Sequence, residues 1–60
     1  MRLADIPSEA RFVLFSEKDG LISEHIELAD AMQSLAFQLQ ADWLTKAVVY
    51  ERGDEWIKVM

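Results

Sequence analysis

The sequence predicts an α+β fold: an antiparallel sheet made of two hairpins, with one helix packed on one face, in the order ββαββ. Three observations carry this. Asp19-Gly20 stands between two apolar, β-prone runs. Leu28, Met32, Leu35 and Leu39 recur at spacings of four, three and four, the period of a helix with one apolar stripe. Arg52-Gly53-Asp54 separates two further β-prone segments, as a turn between paired strands would.

Residues 1–10 (MRLADIPSEA) read as an irregular arm. Pro7 fixes its own φ and lacks a donor, so a strand does not run through it. Residues 11–26 read as the first hairpin. Phe12, Val13, Leu14 and Phe15 are aromatic or β-branched or apolar on both faces of a strand, so that strand should be central or covered on its second side. Gly20 follows Asp19 at the turn, where glycine takes a positive φ without steric cost. A competing arrangement, βαββ, runs one long amphipathic helix from Ile22 through Trp43. The hairpin is preferred because the Asp-Gly turn has a local mechanism, whereas the periodicity of residues 21–27 fits either state.

Residues 28–42 are helical on both readings. Ala29, Ala31, Ala36 and Ala41 raise propensity. Glu27 and Asp30 suit the positive end of the helix dipole. Residues 44–59 read as the second hairpin, with Gly53 expected to supply a permissive φ at its turn. The stripe Leu28, Met32, Leu35 and Leu39 is expected to form the helix half of the core, against Phe12 or Phe15, Val49 and Ile57. Phe37 lies off that stripe. Either the arm covers it through Leu3 and Ile6, the favoured reading, or it is exposed for a partner.

One helix covers one side of a sheet, and successive strand side chains alternate. Some of Phe12, Leu14, Val48, Tyr50 and Trp56 must therefore face away from the helix. The expectation is that the arm covers part of that face and a partner or second copy covers the rest, with Trp56 near the centre, as an aromatic hot spot would be.

The chain has 60 residues, a net charge of −5 and no cysteine. One small domain follows, without disulfides or thiolate metal sites. The acidic balance disfavours nucleic acid, whose binding needs cations. No apolar run reaches the ~20 residues of a membrane span, and residues 1–10 lack the apolar stretch of a secretory signal. The expected location is the cytoplasm. Residues 17–42 carry Glu17, Asp19, Glu24, Glu27, Asp30 and Asp42 against Lys18 alone, while the remaining charges cancel. The excess makes either a docking face for a basic protein surface or a face kept for solubility.

Enzyme chemistry finds little support in the residues. His25 is the single histidine, and zinc needs three or four ligands. No ligand loop for a hard cation is visible. Ser8, Ser16, Ser23 and Ser34 have no nucleophile-elbow context, and two glycines make no phosphate cradle. Arg52-Gly53-Asp54 spells an integrin-recognition tripeptide, and in this chain it is read as turn chemistry. No catalytic residue, metal or cofactor is expected. The candidate protein-binding residues are Glu24, Glu27, Asp30, Phe37, Tyr50 and Trp56.

The run from Arg11 to Val59 includes a helix opening Glu27-Leu28-Ala29-Asp30-Ala31 and a terminal hairpin ending Glu55-Trp56-Ile57-Lys58-Val59. In pattern it resembles small acidic proteins encoded by phages and prophages. The resemblance implies a non-enzymatic module in a bacterial host cell that binds a host enzyme or defence complex and inhibits or redirects it. It transfers no site residues. Two other classes stand beside it: a homo-oligomeric assembly protein, for instance a homodimer, and a nucleic-acid-binding regulator, disfavoured by charge.

Overall fold

The structure is a computed structural model and describes Arg2 and residues 5–59. The chain folds as β1 (Phe12–Ser16), β2 (Gly20–His25), α1 (Leu28–Ala41), a 3-10 turn (Trp43–Thr45), β3 (Val48–Arg52) and β4 (Trp56–Lys58). The four strands form one sheet in the order β2-β1-β3-β4, every neighbouring pair antiparallel. This is the expected ββαββ fold. The long-helix alternative is excluded because residues 20–25 pair with β1.

The first turn forms for the reason expected. Gly20 sits at φ 78°, opposite Ser16. The Ser16 hydroxyl accepts from the N–H groups of Lys18 (3.1 Å) and Asp19 (3.3 Å) and donates to the Thr45 carbonyl (2.6 Å). The same hydroxyl thus shapes the turn and ties it to the 3-10 segment. Thr45 Oγ1 donates to the Asp19 carboxylate, and Lys18 Nζ lies 3.2 Å from Asp42 Oδ2. At the second turn Gly53 does not take a positive φ; among the described residues Gly20 is the glycine that does. Gly53 N–H donates instead to the Glu55 carbonyl at 3.0 Å, so the permissive φ expected there is not used.

The register of β1 against β2 shifts between Leu14 and Phe15. Ser23 opposes Leu14 and Leu21 opposes Phe15, leaving Ile22 as the extra residue of a β-bulge. Ile22 and Ser23 both turn toward the helix side as a result. Strict alternation cannot anticipate that.

The helix packs on β1, β2 and β3, and this side of the core contains Phe12, Leu14, Ala31, Ala47 and Val49, with Ile22 and Leu35 against them. The fully buried helix residue is Ala31. That corrects the expected stripe. Leu35 packs inward, but Leu28 is 38% and Met32 40% exposed, with Leu39 similar. Ile57, on β4 beyond the helix, is 59% exposed. The sheet takes the helix along Ala31 and Leu35, at one edge of the stripe and about 50° from its centre at 3.6 residues per turn. The methyl of Ala31 fits above Phe12, Leu14 and Val49, where a longer side chain would lift the helix.

The opposite side of the sheet buries Ile6, Val13 and Trp56, flanked by Ala10, Phe15, Leu21 and Tyr50. Ile6 comes from the arm. Two contacts clamp the arm across the strands: the Ser8 hydroxyl donates to Glu24, and Arg52 Nη1 donates to the Ser8 carbonyl at 2.6 Å. Arg52 also lies 5.8 Å from the centre of the Trp56 ring. Trp56 is 2% exposed, so the expectation of a partly open face centred on it is corrected: the arm seals it. Phe37 is corrected the other way. It is 72% exposed, because Ile6 is committed to the far side of the sheet. Leu3 lies outside the described residues. Among the described residues no helix is long and apolar enough to cross a membrane.

Candidate functional site

Between Asp30 and Asp42 the sequence has no charged residue. A surface helix ordinarily turns charged side chains toward water opposite its buried stripe. Here the outermost positions are Ala29, Gln33, Ala36 and Gln40, all exposed and uncharged, and beside them stand the exposed Leu28, Met32, Leu39 and Phe37. They lie on two shoulders of α1. Phe37 leans over β2 and lines a groove with Ile22, Ser23, His25, Asp30 and Ser34. Leu28, Met32 and Leu39 form the opposite shoulder, toward the β4 side. Glu27 and Asp30 flank this apolar surface at the start of the helix, and Asp42 flanks it at the end.

Local chemistry fixes those ends. Glu27 takes the extended N-cap conformation without a side-chain cap. Asp42 stops the helix: its N–H still bonds Gln38 O at 2.8 Å, while its carboxylate accepts from Leu44 N–H at 3.1 Å and opens the 3-10 turn. Trp43, in that turn, is 74% exposed.

The groove between α1 and β2 has a volume of about 650 Å³ and is open to solvent. Ser23 Oγ and His25 Nε2 lie 2.7 Å apart on its floor. They are neighbours on one strand face, two residues apart. Among the described residues no hydrogen bond to the other imidazole nitrogen orients His25, so the pair lacks the third group that a nucleophile–base system requires. Among the described residues no cluster of three or more His, Cys, Asp or Glu could hold a metal ion. The groove therefore offers hydrogen-bonding groups beside an exposed aromatic ring, a surface suited to binding.

The six residues singled out by sequence do not form one site. Asp30 and Phe37 meet at the groove, with Glu27 at the helix start. Glu24 pairs with Val13, on the opposite side of the sheet, and is engaged by Ser8. Tyr50 is half-buried on that same far side, edge-to-face with Phe15 at 6.2 Å. Trp56 is internal. Sequence reasoning missed Leu28, Met32 and Leu39 as surface, having assigned them to the core. The signal that could have found them is the missing charge: a helix with one buried stripe has no reason to omit every charged residue from 31–41. No protein-family model, no curated protein and no solved structure matches this chain.

Proposed function

We propose that this chain is a small, non-enzymatic protein-binding module whose partner covers the outer surface of α1. The observation that carries the reading is the charge-free stretch 31–41 with Met32, Phe37 and Leu39 exposed. Recognition surfaces are depleted of charge at their centre and polar at the rim, and Phe37 has the form of an aromatic anchor. The rim here is acidic, made by Glu27, Asp30 and Asp42. The fitting partner is a protein with an apolar patch bordered by Lys and Arg. The resemblance to phage-encoded modulators supplies its class, a host enzyme or defence complex inhibited by the contact.

A second reading is self-assembly through the sheet edge. Gly53 N–H bonds the Glu55 carbonyl and Val59 N–H bonds the Val49 carbonyl, so by the alternation of an antiparallel ladder the backbone groups of Trp56 and Lys58 point outward. With Ile57 exposed beside them, β4 is an open edge of the kind that pairs with another strand. Nucleic-acid binding draws no support from the acidic rim.

The test compares the chain with the double variant Met32→Gln/Phe37→Ala. Phe37 is 72% and Met32 40% exposed, so the fall in melting temperature should be small. Capture of the lysate partner, identified by cross-linking through residues of α1, should fall with the variant. Equal capture by both would overturn the helix reading. A free chain that sediments as a concentration-dependent dimer would favour the β4 edge.

A further inference from the structure

The fold gathers all three lysines of an acidic chain at one place. Lys18 comes from the turn after β1, Lys46 follows the 3-10 turn, and Lys58 stands on β4. All three line a concavity of about 420 Å³ on the sheet side away from the helix, with Phe15, Tyr50 and Thr45. The arm covers the other end of that side over Val13 and Trp56 and leaves this end open. We propose that the concavity binds a phosphoryl group, free or carried on a nucleotide.

Charge makes the first argument. A chain of net charge −5 has ample carboxylates among which to disperse its lysines, and dispersal is what solubility favours. Here they converge. Lys18 is held at 3.2 Å by Asp42, while Lys46 and Lys58 have no salt-bridge partner among the described residues. Glu17 is the one carboxylate on the wall, so cations exceed it three to one.

Backbone geometry makes the second. Lys46 sits at φ 52°, the left-handed region, and is the one non-glycine residue with positive φ among the described residues. Glycine would take that conformation at lower cost, and residues held there cluster at functional positions. The segment is fixed from both sides: Ser16 bonds the Thr45 carbonyl and Asp19 accepts from the Thr45 hydroxyl. The network sets Lys46 beside the concavity.

The lining narrows the ligand class. No arginine lines this space, so the bidentate fork that grips carboxylate and phosphate alike is missing. Lysine binds phosphate as a point charge. The edge-to-face pair of Phe15 and Tyr50 adds an aromatic wall, and the volume lies within the range of small-ligand sites, roughly 300–1,000 Å³. A phosphate attached to a planar base would use both the cations and the wall.

The experiment is a titration of the intact, isotope-labelled chain at constant ionic strength, read by backbone amide shifts. The probes are pyrophosphate, adenosine monophosphate and adenosine. Pyrophosphate and adenosine monophosphate should both saturate, moving amides of residues 15–18, 44–50 and 58, while adenosine should not. Tighter binding of the nucleotide assigns the ring to the aromatic wall; equal or tighter binding of pyrophosphate assigns the site to a free phosphoryl anion. Losing one charged contact should weaken binding by about tenfold or more in Lys58→Gln and in Lys46→Gly. The second variant keeps the left-handed backbone and should melt no lower than the parent. Shifts that are unsaturable, that centre on Arg2, Arg11 or Arg52, or that persist unchanged in both variants would overturn the proposal. So would stronger competition by an acidic peptide than by pyrophosphate.

Discussion

Ala31 decides how the helix meets the sheet. Its methyl is fully covered above Phe12, Leu14 and Val49, and a leucine there would force the helix outward. Ala31→Leu should therefore destabilise the fold by about 1–3 kcal/mol through overpacking. Leu39→Ala, which the hydropathy stripe would rank as a core truncation, removes a side chain already 38% exposed and should cost only about 1 kcal/mol. Chemical denaturation of the two variants checks the order, and the reverse order would restore the stripe to the core. The stripe misled because hydropathy ranks side chains by size and apolarity, whereas the sheet selects them by fit. The two tryptophans offer a second check at this scale. Trp56 is sealed by Ile6 and Trp43 is exposed, so acrylamide should quench the emission in two classes, with the protected class blue-shifted. A single accessible class would contradict the seal.

Among the elements, the arm contributes most beyond what its composition suggests. Its described residues have no regular secondary structure apart from a short turn, yet Ile6 closes the second core and the Ser8 backbone and side chain reach β3 and β2. Ile6→Ala should cost about 2–5 kcal/mol, against a total stability on the order of 3–9 kcal/mol for a chain of this length. Thermal unfolding would show it, accompanied by a red shift of Trp56 emission. Loss of stability without that shift would mean that Ile6 acts somewhere other than over the indole. Both hairpins and the helix start were legible because each has a local cause: Gly20 at its turn, Arg52-Gly53-Asp54 between two β-prone runs, Leu28 after Glu27. What was not legible was non-local. The bulge that turns Ile22 and Ser23 to one face follows from pairing with Leu14 and Phe15. The commitment of Ile6 to Trp56, and so the exposure of Phe37, follows from which side of the sheet the arm crosses.

Across the whole molecule most charges are sorted by surface, with the Lys18–Asp42 pair joining the two sides. Glu27, Asp30 and Asp42 border the helix, and the three lysines gather on the other side of the sheet. The acidic segment read as one face from sequence is in fact divided: Glu24 belongs to the far side and is held by Ser8. This division sharpens the test of electrostatic docking. If the partner approaches the helix, the carboxylates that steer it are Glu27 and Asp30, both exposed. Exposed charges act over a screening length of roughly 10 Å at 0.1 M salt, and such charges govern the association rate more than the lifetime of a complex. Reversing Glu27 and Asp30 together to Lys should therefore slow association and flatten its dependence on salt. Reversing Asp54 and Glu55, exposed in the β3–β4 turn, changes the net charge equally but at a different place, and should leave the rate much closer to that of the parent. Stopped-flow or surface-capture kinetics with the identified partner would separate the two pairs. Equal slowing by both would mean that only net charge matters, and the acidic rim of the helix would then serve solubility alone.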